Sequence, residues 1–229
     1  MQIFLIRHPR PQNAEGICYG QLDLDVSAQE CAACAQRLRR LNLWPDAARL
    51  MSSPLRRAHA LAQALHPAPE LDARLMEMSF GDWEGKAWND IPREQLDAWA
   101  ADIVHFTPPR GESSATLKAR ALAALAALTT LAPLSALSPT TAAKNKPQEN
   151  IVLVSHGGVI RTLLGHYLNL PVAEWSQLEL TFGGVSLLEL RRVETRFGEK
   201  QEACGAKQEQ KGDGDQTNEL SAVLHYLNR

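Results

Sequence analysis

Ile151-Val152-Leu153-Val154-Ser155-His156-Gly157-Gly158 carries three structural instructions in one short stretch. The apolar run is too short for a helix and rich in β-branched residues, so it reads as a strand buried on both faces. Two glycines after His156 let the backbone come close to whatever lies beyond the strand. Val159 to Leu168 then reads as a helix whose N-terminus points back at that spot. Free N–H groups and the positive end of the helix dipole suit an anion there.

The same design recurs at the other end of the chain. Gln2-Ile3-Phe4-Leu5-Ile6 is a second short apolar strand, and Arg7-His8-Pro9 follows it directly. A third strand, Arg49 to Ser52, runs into Ser53-Pro54-Leu55-Arg56-Arg57-Ala58. Here Ser53 and Pro54 are expected to cap and open a helix reaching about Leu65. Ser27 to Glu30 forms a capping box ahead of an amphipathic helix to about Leu41. Ser113 or Ser114 opens an Ala/Leu-rich helix ending near Leu131, and Gly184–Arg191 and Leu220–Leu227 read as closing strands.

Strands alternating with helices indicate an α/β fold: a single three-layer domain, mostly parallel central sheet, helices on both faces. Two segments fit that sheet badly. Pro133 to Asn150 is rich in Pro, Ser, Thr, Ala and Lys, while Glu199 to Asn218 has almost no apolar residues. One domain over 1–229, with flexible insertions at about 133–150 and 196–219, is the expected organisation.

Composition narrows the function classes. The 229 residues are 45% hydrophobic and 22% charged, with a net charge of −2, which offers no basic excess for nucleic acid. Four cysteines are too few for a disulfide scaffold and match no zinc spacing with two Cys pairs. The apolar run at Met1 to Ile6 meets Arg7 and His8 at once, leaving no signal-peptide core, so a cytoplasmic protein is expected. Ala121 to Ala143 lacks charges and is long enough to span a bilayer. Its Ala, Ser and Thr content, with Pro133 and Pro139, reads instead as a helix running into a linker, and no membrane is expected.

In a parallel sheet, His8 and His156 both fall at carboxyl ends of strands, where open α/β folds place their ligands. Arg7 and the Arg56-Arg57 pair arrive at the same edge, and guanidinium forks match phosphate oxygens. Two histidines, at least two arginines and a helix N-terminus describe a phosphate site. Each piece alone is more often structural; three equivalent strand ends together are not.

At this point the chain resembles the histidine phosphatase superfamily and its phosphoglycerate mutase-like branch. The resemblance rests on Arg7-His8-Pro9, Ser53-Pro54-Leu55-Arg56-Arg57-Ala58, Leu75 to Gly85, Gly111-Glu112-Ser113 and Ser155 to Gly158, in that order. It implies that His8 takes the phosphoryl group. It also implies that Arg7, Arg57, His156 and Gly157 bind phosphate oxygens and that Glu77 protonates the leaving oxygen. Glu84 is the rival acid. A neutral histidine nucleophile flanked by cations is sound phosphoryl-transfer chemistry, and an alkoxide leaving group needs an acid. No cofactor and no metal are expected. One departure is Pro9, where the family has Gly; proline removes one backbone donor. Asn13 falls near a phosphate-binding asparagine of the family.

Glu77 to Glu84 is especially similar to α-ribazole-5′-phosphate phosphatases, as are Gly16-Ile17-Cys18-Tyr19-Gly20 and Leu227-Asn228-Arg229. This resemblance implies α-ribazole 5′-phosphate as substrate, with Tyr19 and Gly20 in its site. The small-molecule phosphate ester is the expected partner, and a homo-oligomer is left open. The alternatives are a broad-specificity phosphatase, a phosphoglycerate mutase, whose family members carry a longer basic insertion than Lys86 to Arg110, and a non-catalytic phosphate-binding scaffold. Trp88 and Trp99 either cover a bulky aromatic leaving group or belong to the core. Cys31 and Cys34 share a predicted helix and read as packing, Cys18 as a thiol near the pocket open to reaction, and Cys204 as part of the second insertion. His59, His66, His105, His166 and His225 read as structural or surface residues.

Overall fold

The computed structural model describes residues 1–44, 48–130, 150–192 and 220–228. Among them, six strands form one sheet: β1 (Gln2–Arg7), β2 (Arg49–Ser52), β3 (Glu70–Leu71), β4 (Asn150–Ser155), β5 (Val185–Arg192) and β6 (Leu220–Tyr226). Six α-helices accompany them: α1 (Ala28–Leu41), α2 (Arg56–Leu65), α3 (Arg93–Ala101), α4 (Ser114–Thr130), α5 (Gly157–Tyr167) and α6 (Val172–Trp175).

The central strands β1 and β4 are apolar through their middle positions because each has a helix layer on both sides. Period-two alternation divides them between two cores. Ile3, Leu5, Ile151 and Leu153 pack with Leu117, Leu125 and Leu128 of α4 and with Leu163 and Leu164 of α5. Phe4, Ile6, Val152 and Val154 point the other way, against Leu38 of α1 and Leu61 of α2. The helices meet this demand with one apolar face each; on α4 the buried positions Leu117, Ala121, Ala124, Leu125 and Leu128 recur at helical spacing. Helix α1 is bounded as its sequence suggests. Ser27 Oγ accepts the Glu30 N–H at 3.4 Å, and Asn42 ends the helix in the left-handed conformation.

Sheet order is β3-β2-β4-β1-β5-β6. The pairs β3–β2, β2–β4 and β4–β1 are parallel, and β1–β5 and β5–β6 are antiparallel. Strand β5 enters the sheet beside the carboxyl end of β1, where the Arg7 N–H donates to the Gly184 carbonyl at 3.1 Å, so it must run the opposite way. The fold is therefore the expected α/β domain, with a mixed sheet.

One helix start differs from the sequence expectation. Helix α2 begins at Arg56, not at Pro54, and Leu55 caps it without a side-chain hydrogen bond. Ser53 continues the ladder past β2: its N–H donates to the Val154 carbonyl at 3.0 Å, which delays the turn into the helix. Strand β3, helices α3 and α6 and three 3₁₀ turns between Ala73 and Asp90 carry too few residues for a periodic signal. The proposed insertions, apart from Asn150, lie outside the described residues, as do Cys204 and the end of the Ala121–Ala143 run. Among the described residues no helix is long and apolar enough to cross a membrane.

Leu153 is 1% exposed in the middle of β4, with side chains from both α4 and α5 in its core. Leu153→Ala is expected to cost about 2–5 kcal/mol of stability through lost transfer energy and a residual cavity, read as a shift in the urea midpoint.

Candidate active site

The parallel register brings the two histidines together. Arg7 pairs with Ser155, so the next residues, His8 and His156, leave adjacent strand ends side by side. Their rings lie 5.0 Å apart between centroids, and both are buried. From the first turn of α2, which follows β2, Arg57 reaches the same edge and is itself fully buried.

His8 is held in one tautomer. Its Nδ1 lies 2.6 Å from the Pro9 carbonyl, which has no proton to give, so Nδ1–H is the donor. That leaves the lone pair on Nε2, which accepts from Arg57 Nε at 3.3 Å. Burial foremost, then the Arg57 charge, pushes the His8 pKa well below the usual histidine range. The ring is neutral at neutral pH and keeps a lone pair on Nε2. Pro9 performs this orientation through its carbonyl, which the change from glycine leaves in place.

His156 is also kept neutral, by burial first and then by His8 and the nearby arginines. Its Nε2 lies 2.7 Å from Ser53 Oγ, while Nδ1 is buried without a partner among the described residues. Arg57 spends its outer nitrogens on the Leu22 and Gly20 carbonyls, at 3.0 and 2.7 Å. Arg7 stacks 3.8 Å above the Phe182 ring, and its Nε is buried without a partner among the described residues. Burial pulls both guanidinium pKa values down while Tyr19 and Glu77 oppose it, yet a guanidinium stays charged. Among the described residues neither arginine has a carboxylate in salt-bridge range, an arrangement that is costly unless an anion joins them.

Glu77 stands at the N-terminus of α5. Its Oε2 accepts the Gly158 N–H at 3.0 Å, and Oε1 accepts the Met78 N–H at 3.0 Å. A Cβ on Gly158 would collide with this carboxylate, so the second glycine is required by close approach. Glu84 is spent elsewhere: its Oε1 accepts the backbone N–H groups of Gln21 and Phe80, both at 2.8 Å, tying two loops together. A cavity of about 170 Å³ is lined by Arg7, His8, Tyr19, Gly20 and Glu77, with Ile17, Phe80 and Trp88.

Not every expected residue gathers there. Asn13 is an exposed residue in a left-handed turn and does not line the cavity. Cys18, expected as a reactive thiol, is fully buried beside Trp83 and Ile91; burial pushes its pKa up to about 12, so it offers no thiolate. Trp88 and Trp99 belong to a packed cluster. They stack on each other at 6.1 Å within an aromatic cluster, and Trp88 also lines the cavity.

The structure adds residues that the motifs hid. Arg120 donates to the carbonyls of Arg74, Met76 and Glu77, and pairs with Glu112, which accepts the Ser79 N–H. Together they clamp the loop that carries the acid. Ser155 Oγ adds a bond to the Leu75 carbonyl at 2.8 Å. The Gly-Glu-Ser motif pointed at Glu112, but nothing at the sequence level pointed at Arg120.

Comparison with known proteins matches residues 3–201 to the histidine phosphatase superfamily, branch 1. The chain belongs to that superfamily. It is a phosphatase of the superfamily, 33% identical over 190 residues to a glucosyl-3-phosphoglycerate phosphatase of Mycobacterium tuberculosis, covering 77% of this chain and 79% of that one. It is 27% identical over 184 residues to an adenosylcobalamin/alpha-ribazole phosphatase of Escherichia coli, covering 76% and 83%. A solved Escherichia coli structure described as a putative alpha-ribazole-5′-P phosphatase shares the fold, with a TM-score of 0.73, 23% identity and coverage of 100% and 96%.

The two neutral histidines give stability a definite pH dependence. Unfolded, each takes up a proton near pH 6.5; folded, only well below it. Between those values the unfolded chain binds more protons, so stability falls as pH drops below about 6.5, by roughly 1 kcal/mol per unit for each histidine. Urea denaturation at pH 7 and 5.5 is expected to show a smaller acid loss for His8→Gln than for the wild type.

Proposed function

We propose that this phosphatase hydrolyses α-ribazole 5′-phosphate through a phosphohistidine on His8. The observation that carries the mechanism is the His8 tautomer: a neutral ring with its free lone pair on Nε2, set beside the buried Arg57 and half-buried Arg7 guanidinium groups. Nε2 attacks phosphorus as the ester P–O bond breaks, and Glu77, entering protonated, gives its proton to the departing oxygen. Arg7, Arg57, the His156 ring and the N-terminus of α5 offset charge on the phosphoryl oxygens. Water then attacks phosphorus, the P–N bond breaks, and Glu77 takes the proton from that water. His8 returns neutral and inorganic phosphate leaves. The Nδ1–H bond to Pro9 supports the positive charge the ring carries while phosphorylated. Side chains fill every role, so the rate is expected to persist in EDTA.

The substrate assignment draws support from the likeness of Glu77 to Glu84 to α-ribazole phosphatases and from Phe80, an aromatic wall beside Glu77. Aromatic walls suit an alcohol with an aromatic body. A second reading, glucosyl-3-phosphoglycerate hydrolysis, is favoured by the 33% identical relative.

Phosphate release from α-ribazole 5′-phosphate, glucosyl-3-phosphoglycerate and p-nitrophenyl phosphate, with His8→Ala as control, tests the choice. We expect kcat/KM to favour α-ribazole 5′-phosphate by at least ~100-fold, about 2.7 kcal/mol, and His8→Ala to be inactive. A preference for the glucosyl ester would move the assignment to the second reading. Glu77→Gln is expected to slow the alkyl esters by about 10²–10⁴-fold and the aryl ester much less, because nitrophenolate leaves without protonation. Equal losses would remove Glu77 as the acid.

A further inference from the structure

A second cavity, of about 500 Å³, lies directly against the phosphate site. Glu77 and Phe80 belong to the walls of both. The smaller cavity holds little beyond a phosphoryl group, whereas the larger one falls within the roughly 300–1,000 Å³ range of small-molecule sites. If Glu77 protonates the ester oxygen, the atoms beyond that oxygen pass into the larger space.

The lining changes along its length. At the end next to Glu77 it is polar: Arg161 lies close enough to Gly157 that a Cβ there would come within 3.1 Å of its Nη1. Arg161 donates Nε to the Leu178 carbonyl at 3.0 Å and has no carboxylate partner among the described residues. Farther out the wall is apolar, formed by Trp99, Trp175, Leu117, Ile103 and Val172. Ile103 and Val172 are 48% and 40% exposed, an unusual place for large aliphatic side chains unless something covers them. The Trp99 indole N–H is buried without a partner among the described residues.

We infer that this cavity is the leaving-group site of the phosphatase and that its occupant is an alcohol of two parts. A hydroxylated stem lies against Arg161 beside the ester oxygen, and a flat apolar body lies against Trp99 and Trp175. The inference rests on the phosphatase reading for its polarity, since Glu77 defines which end faces the phosphorus. It names Arg161, Trp99 and Trp175 as specificity-determining residues.

The test fills the cavity from its rim. Ala173 and Ala100 line it from α6 and α3 and are exposed, so Ala173→Trp and Ala100→Trp intrude without opening the core. Two readouts are taken: kcat/KM for α-ribazole 5′-phosphate relative to glycerol 3-phosphate, and calorimetric binding of α-ribazole, the alcohol without its phosphate. Each variant is expected to lower the kcat/KM ratio about 10-fold and to weaken α-ribazole binding similarly. An unchanged ratio in both variants, or no binding of α-ribazole to the wild type at millimolar concentration, overturns the site. Wild-type protein that binds α-ribazole, loses that binding in the variants and hydrolyses no ester would instead refute the phosphatase reading and leave the site standing.

Discussion

The His8 backbone N–H donates to the Ser155 carbonyl at 3.0 Å, carrying the parallel ladder between β1 and β4 past its last strand pair. That bond sets the distance between the two histidine rings. Residues far apart in the chain become neighbours because the strands that carry them pair in one register. Shifting the register by one residue would turn Ile3, Leu5, Ile151 and Leu153 toward the wrong helix layer. The packing of two cores therefore guards the geometry of the site. Ser53 extends the same logic to β2, since its N–H joins the ladder and its hydroxyl meets His156.

Electrostatics at this edge are built around an absent negative charge. Arg7 and Arg57 are held by backbone carbonyls and aromatic faces, which position them without neutralising them. Burial first, then the Arg57 and Arg7 charges, make protonation of His8 unfavourable, so groups suited to holding a phosphate also help keep that ring neutral. Glu77 stands nearby, but its oxygens are turned to backbone N–H groups.

Much of this was legible in the chain because it lay in continuous signals. The strands at Gln2 and Ile151 are short apolar runs that end in histidine, and the ligand edge followed from their likeness. Arg57 was legible through its motif, although the start of α2 was misplaced by two residues because Ser53 continues the ladder. Arg120 and Arg161 were invisible for a different reason. Each is one arginine on a helix whose value comes from contacts to carbonyls across a loop, and no local spacing encodes that. Cys18 was misjudged because a glycine-flanked cysteine looks exposed until Trp83 and Ile91 close over it. The larger cavity is assembled from α3, α4, α5 and α6, and two of those helices are too short or too polar to announce themselves.

The bond between Glu77 and the Gly158 N–H has a mechanical consequence. Helix α5 begins one residue after His156, so the Glu77 carboxylate is latched to the same rigid rod that follows the His156 ring. The clamp from Arg120 and the bond from Ser155 fasten the other side of the Glu77 loop to α4 and β4. On the proposed mechanism, proton delivery is thereby referenced to the sheet. Entry and exit of the alcohol would then proceed without dismantling the alignment between Glu77 and His8, so the time spent exchanging one substrate for the next would be uncoupled from the time spent on chemistry.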